Sequence, residues 1–205
     1  MGKILFIDSE TSGLPNDNWP NYDENYWPRL VQLAYAIYDE DGTKKESRGF
    51  LIKPYGFEIS ASATKIHGIT NEFALNNGLE LSQVLREFSE KPEDSKILAG
   101  HNINFDLNVV QFEYIRRKEQ LNLPKKVICT MRHPRIINYC QLPSRSGYGY
   151  KWPRLCELHK ILFDCDFEGA HDALSDVLAT AKCYFKLKEM GFFEEKTLPH
   201  PVGFY

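Results

Sequence analysis

A chain of 205 residues with 42% apolar and 26% charged side chains is long enough to bury a core and too evenly mixed to stay disordered. Its net charge of −3 gives no overall attraction to a polyanion or an anionic membrane. Five scattered cysteines without a Cys-x-x-Cys pair argue against a disulfide framework or a thiolate zinc site, and no apolar run has transmembrane or signal-peptide length, so one cytoplasmic domain over residues 1–205 with no membrane partner is expected.

Residues 3–9 are rich in strand-forming types and predict a strand that runs into Asp8 and Glu10. Residues 15–28, PNDNWPNYDENYWP, are rich in Pro, Asn and aromatics and predict a long loop inserted into the core. Residues 29–54 predict two strands joined at the Asp41-Gly42 turn, which with the first makes an antiparallel three-stranded meander. Short helices are expected at 60–68 and 71–77. Leu81, Val84, Leu85 and Phe88 have helical spacing. A short apolar strand at 96–102 precedes a helix over 105–121, whose apolar stripe is Phe105, Val109, Phe112 and Ile115. Another strand is expected at 125–131 and helices at 152–163 and 171–190, the last ended by Gly191 and followed by a short tail, 192–205. Strands first, then strands alternating with helices, predict an α/β fold: a mixed sheet, part meander and part parallel, flanked by helices.

Residues i and i+2 of a strand face the same side, roughly 6.6 Å apart at the backbone. Asp8 and Glu10 therefore point together, and two neighbouring carboxylates resist ionising without a positive partner. A bound cation explains the pair; so does a solvated strand end. Asp106 lies where a short strand meets a helix, and His171 and Asp176 lie around the start of the last long helix. Each has an ordinary reading as a helix-start acid or a polar loop residue. Together, four carboxylates without a Cys/His cluster make a hard-oxygen set suited to Mg²⁺ or Mn²⁺ rather than Zn²⁺.

Charge is unevenly spread. Residues 116–154 hold ten Lys/Arg and one acid, interleaved with Tyr139, Tyr148, Tyr150 and Trp152. Such a stretch suits phosphates and stacked bases, and equally a solvated surface over ordinary core aromatics.

The stretches FIDSETSGLP, ATKIHGIT, GHNINFD and HDALSD occur in that order. Together they resemble the successive motifs of the DEDDh 3′→5′ exonucleases, the superfamily of the proofreading ε subunit of bacterial DNA polymerase III. The likeness runs from about residue 3 to residue 187. It implies an RNase H-like fold and two divalent ions, Mg²⁺ or Mn²⁺, held by Asp8, Glu10, Asp106 and Asp176, with Asp8 as the bridge. It implies His171 as general base; histidine changes protonation near neutral pH. The implied reaction releases nucleoside 5′-monophosphates from the 3′ end of a single strand, DNA being favoured over RNA. Thr11, Leu14, His67 and Phe105 match positions near the terminal nucleotide, Leu14 and Phe105 wedging the last bases and His67 meeting the sugar or phosphate. Lys125, Lys126 and Arg132 are the candidates for tracking the strand. An exoribonuclease and a polymerase-associated proofreading subunit are the alternatives. A non-catalytic binding module is disfavoured because all five catalytic residue types are present, and an aspartic protease because Glu10 stands where the small D-S/T-G turn would be. QLNLP at 120–124 bears only a faint likeness to a sliding-clamp peptide, and neither clamp nor polymerase docking is indicated.

Overall fold

A computed structural model describes residues 2–18 and 20–193. Trp19 of the expected 15–28 loop, and the expected tail from residue 194 onward, lie outside the described residues.

The first three strands form the expected meander: β1 (Lys3–Thr11), β2 (Leu30–Asp39) and β3 (Lys44–Leu51), antiparallel in turn. On the other side of β1, β4 (Ile97–Gly100) and then β5 (Lys126–Cys129) pair parallel, giving the order β3-β2-β1-β4-β5. The helices are α1 (Ala61–His67), α2 (Asn71–Asn77), α3 (Leu81–Glu93), α4 (Ile103–Arg116), α5 (Pro134–Cys140), α6 (Leu155–Phe163) and α7 (Ala173–Glu189). No helix among the described residues is long and apolar enough to cross a membrane.

Helices cover both faces of the sheet, which is why residues 4–7 of β1 are uniformly apolar and fully buried. Leu5 and Ile7 pack with Val84, Leu85 and Phe88 of α3 and Val109 and Val110 of α4. Ile4 and Phe6 pack with Val177, Ala181 and Tyr184 of α7. The period-2 alternation carries on past the core. Asp8 and Glu10 leave β1 on the α7 side, and Ser9 between them on the α4 side. From β1 the chain continues to one side of the sheet and from β4 to the other. The carboxyl ends of these two strands therefore border a crevice, the usual place for a ligand in open α/β sheets.

The structure corrects several expectations. α4 starts at Ile103 and ends at Arg116, with Lys118 in the left-handed region (φ 58°). Its buried residues are Ile103, Asp106, Val109, Val110, Phe112, Glu113 and Tyr114, so Val109 and Phe112 of the expected stripe are buried, whereas Phe105 is half-buried and Ile115 is 51% exposed. An apolar template misses Asp106 and Glu113 on this face because they are acids. α6 starts at Leu155, after Trp152, Pro153 and Arg154, and α7 starts at Ala173, so His171 and Asp172 precede it. α5 is a helix that the sequence pattern does not announce. It has Pro at its first turn and buries one pair, Ile136 and Cys140, within seven residues, too little for periodicity to register.

The loop between β1 and β2 is fastened to α4. Arg116 donates to the carbonyls of Trp27 (2.7 Å) and Glu24, and the Trp27 ring stacks on Phe112 at 5.9 Å between centroids. Glu113, fully buried, accepts from Arg29 Nε (2.8 Å) and from the backbone N–H of Leu30 (3.0 Å).

Candidate active site

Four carboxylates converge on the crevice from three elements. β1 supplies Asp8 and Glu10, the first turn of α4 supplies Asp106, and the first turn of α7 supplies Asp176. Asp106 is buried and its Oδ1 accepts from Ser9 Oγ at 2.7 Å. The small residue between the two β1 acids thus orients the third. α7 is fixed to the sheet by Gln32, which sits opposite Glu10 in the β1–β2 register. Its side chain donates to Asp172 Oδ1 (2.8 Å) and accepts from the Ala173 N–H (3.0 Å). Asp172 caps α7 by accepting from Ser175 N–H and Oγ, each at 3.1 Å.

His171 is exposed and adopts a left-handed backbone (φ 70°), uncommon for a residue with a Cβ. This conformation turns its N–H to Asp176 Oδ2 at 3.2 Å. It also brings a ring nitrogen together with Glu10 and Asp176, the ligand atoms of all three lying within 4.8 Å of one another.

Burial and like charge dominate the electrostatics of the four acids. Burial first, then Asp106, Asp176, Glu10 and Asp172, raise the Asp8 carboxyl well above the usual carboxylate range. Burial and then Asp176, Asp106 and Asp172 raise Glu10 to about 8. Burial raises Asp106 to about 7 against the lowering hydrogen bond from Ser9, and raises Asp176 to about 6 against the bond from His171. Asp176 Oδ1 is buried and has no hydrogen-bond partner among the described residues. An all-oxygen donor set of this density, with an acceptor left over, fits hard divalent cations.

These shifts predict how the metal-free protein responds to pH. A carboxyl whose folded pKa is raised holds a proton that the unfolded chain has released, so its contribution to stability falls as pH rises from about 4 to its folded value. Buried His101, lowered to about 4 chiefly by burial, acts in the opposite sense below about pH 6.5. Between about pH 6.5 and 8 the acids dominate. Chelator-treated protein is expected to melt at progressively lower temperature across that interval, and Mg²⁺ or Mn²⁺ to restore most stability at its upper end. A melting temperature flat or rising from pH 6.5 to 8 without metal would contradict the clustered geometry.

The other sequence candidates divide. Leu14 is 83% exposed, four residues after Glu10, on a segment held where Ser12 N–H donates to Arg29 O (2.9 Å) and Ser60 N–H to Ser12 O (2.9 Å). Thr11 is buried, and its hydroxyl donates to Gly13 O at 2.7 Å. The N–H of Ile69 donates to His67 Nδ1 (3.0 Å), so Nε2 carries the proton of the neutral ring and faces Thr11 O at 3.3 Å. Both His67 nitrogens are thus engaged. Phe105 is held edge-on to Trp27 at 6.2 Å.

Lys125 and Lys126 do not lie beside the acids. Lys126 is in register with Ile97 and through it with Ile4, four residues upstream of Asp8. That places it roughly 13 Å toward the other end of the sheet. The sequence could not separate them from Arg132, because position along a parallel strand depends on register. Arg132 follows the carboxyl end of β5, and its Nε donates to Asn102 Oδ1 at 3.1 Å. Much of the remaining basic segment is engaged: Arg117 with Glu119, Lys151 and Arg154 with Glu157, and Arg135 with the carbonyls of Gly191 and Phe192.

A family profile described as RNase_T, exonuclease, matches residues 5–184. The chain is 29% identical over 194 residues to a DNA polymerase III subunit epsilon-like protein of Rhodobacter capsulatus, covering 91% of this chain and 24% of that protein. It is 24% identical over 207 residues to the DNA polymerase III subunit epsilon of Buchnera aphidicola, covering 98% of this chain and 80% of that one. Its fold superposes on E. coli exonuclease I in complex with a dT13 oligonucleotide with a TM-score of 0.73 at 21% identity, over 92% of this chain and 41% of that chain. The fold is accordingly RNase H-like, and the chain spans about a quarter of the first relative and two fifths of the solved structure.

Proposed function

The chain belongs to this exonuclease family, and from that membership we propose a divalent-metal-dependent enzyme that removes nucleoside 5′-monophosphates from the 3′ end of single-stranded DNA. The observation that carries the reading is the meeting of Asp8, Glu10, Asp106 and Asp176 beside His171 at one end of the sheet, with raised carboxyl pKa values and a leftover buried acceptor.

Bound Mg²⁺ or Mn²⁺, two ions in the proposed site, would supply the charge that holds the attacking and leaving oxygens of a phosphodiester in line. Asp8, Glu10, Asp106 and Asp176 would hold them, with Ser9 orienting Asp106 and Gln32 fixing the helix that carries Asp176. A ring nitrogen of His171 would accept the proton of the attacking water. Exposed Leu14 would wedge against the terminal base, and half-buried Phe105 would support the last bases. His67 would reach the terminal sugar only by giving up its contact with Thr11.

His171→Ala is expected to slow hydrolysis by about 10²–10⁴-fold, the usual share of a general base, while Mn²⁺ affinity measured by calorimetry stays near that of the wild type. A large loss of affinity would make the histidine a ligand instead.

The direct test of the function uses 5′-labelled single-stranded DNA with chelated protein and added Mg²⁺ or Mn²⁺. Stepwise shortening from the 3′ end is expected, with closed circular strands surviving. Cleavage of a circle would make this an endonuclease, and full activity in excess chelator would remove the metal. The 80% coverage of the Buchnera subunit favours a second reading, a proofreading partner of a polymerase, tested by co-purification with a replicative polymerase.

A further inference from the structure

The segment 142–152 is a hairpin that the exonuclease reading leaves unused. Lys151 N–H donates to Leu142 O at 2.9 Å, Pro143 and Tyr150 form an antiparallel bridge, and Ser144 N–H donates to Gly149 O at 3.3 Å. Gly147 and Gly149, at φ 77° and 67°, make a turn that other residues would strain. The hairpin exposes Tyr148 (89%), Tyr150 (45%) and Trp152 (51%), while Lys151, between the last two, is tied to Glu157 at 2.6 Å.

Its base is fastened to the catalytic end of the sheet. His101, just after β4, donates from Nε2 to Pro153 O (3.0 Å), and its Nδ1 faces the hydroxyl of Thr130, just after β5, at 2.9 Å. The Arg132 guanidinium lies over the Trp152 ring, 4.4 Å from its centroid, and bonds Asn102. Asn102, held left-handed (φ 65°), stands immediately before α4, four residues before Asp106. Rings and cation therefore continue directly from the helix start that supplies a site carboxylate.

Large exposed rings beside guanidinium groups suit a ligand with flat apolar faces and an anionic backbone. Arg132, Arg145 and Arg154 give the surroundings a positive sign, and the acid within this group, Glu157, is already paired twice. Unpaired nucleic acid matches both features, since every base has a face to stack and every linkage a charge. We propose that Tyr150, Trp152 and Arg132 form a stacking platform for the unpaired bases just upstream of the 3′-terminal nucleotide. This extends the exonuclease reading and rests on it.

The test compares two substrates, a single-stranded DNA dodecamer and a chromogenic 4-nitrophenyl ester of thymidine 5′-monophosphate, which has no upstream bases. Trp152→Ala and Tyr150→Ala should each lower the dodecamer-to-ester ratio of kcat/KM by about 5- to 150-fold, the range for removing one base stack. The loss should fall on KM, and Trp152→Phe should recover most of it. Arg132→Ala should also make the slope of log K against log salt shallower, by about 0.7 for each phosphate that is no longer neutralised. An unchanged ratio, or an equal loss on both substrates, would overturn the platform. If the wild type hydrolysed neither substrate, the exonuclease reading would fail. Dodecamer binding in chelator, followed by fluorescence anisotropy, would still decide the platform: weakening by Trp152→Ala supports it. Binding that is absent, or indifferent to that change, would hand the rings to a protein partner and refute it.

Discussion

Asp8→Asn is expected to reduce exonuclease activity to background and, at the same time, to raise the melting temperature of the metal-free protein near pH 8. Both follow from one charge. Asp8 is recessed at the end of β1 and feels Asp106, Asp176, Glu10 and Asp172 in addition to its own burial. Asparagine keeps the shape and removes one carboxylate from the cluster, which relieves repulsion whenever no cation is present. In the loaded enzyme the same loss removes the proposed bridge. Metal ions supply several kcal/mol of transition-state stabilisation, so a fall of about 10³-fold or more is expected. The measurements are single-turnover rates in Mn²⁺ and melting curves in chelator at pH 6.5 and 8. The variant should show a weaker pH dependence than the wild type. An active variant, or one that melts below the wild type in chelator at pH 8, would mean that Asp8 is not part of a like-charged cluster.

Glu113→Ala should be the most damaging single change to stability away from the acids. Glu113 is fully buried, accepts from Arg29 and the Leu30 N–H, and lies 3.3 Å from Arg116 Nη1. Removing it strands two guanidinium groups, of which Arg116 is already lowered by burial, against the raising effect of Glu113. Breaking a buried pair in this way costs about 3–5 kcal/mol. For a chain of this size that is a fall of roughly 10 °C in melting temperature. The damage should also reach the substrate. Arg29 exchanges backbone and side-chain bonds with Ser12, two residues before Leu14. A raised KM with nearly constant kcat is expected in whatever fraction stays folded. Denaturant unfolding measures the first effect and steady-state kinetics on single strands the second. A loss under about 1 kcal/mol would show that water replaces the carboxylate and that the loop is not anchored through it.

The meander, the parallel strands and the acids are legible in the sequence because each rests on a local rule. Alternation places Asp8 and Glu10 on one face, and the Asp41-Gly42 turn pairs β2 with β3. What is not legible depends on contacts between distant segments. Glu113 reads as one more charge in a helix until Arg29, 84 residues earlier, is brought against it. Gln32 reads as a polar strand residue until the start of α7 is docked on it. Val109 and Phe112 are legible on the buried face of α4, but the rest of that face is hidden because burial there includes two partnered carboxylates. Lys125 and Lys126 group with Arg132 by sequence proximity, and only the register of β5 separates them. α5 is too short for a periodic signal. Phe105 reads as free to wedge a base, but the Trp27 ring from the β1–β2 loop leans on it.

β1 is hydrogen-bonded along both edges, whereas His171 stands in a left-handed turn just before α7. In a hydrogen-exchange experiment these belong to different clocks. The amides of residues 4–6 should exchange last, through global unfolding, and that of His171 early, through local opening. The candidate base thus rides on a segment whose opening is uncoupled from that of the strand carrying the first two acids. Substitutions in residues 164–170 should therefore change turnover without shifting the unfolding midpoint. Changes in the core should lower the midpoint while the molecules still folded keep their full rate.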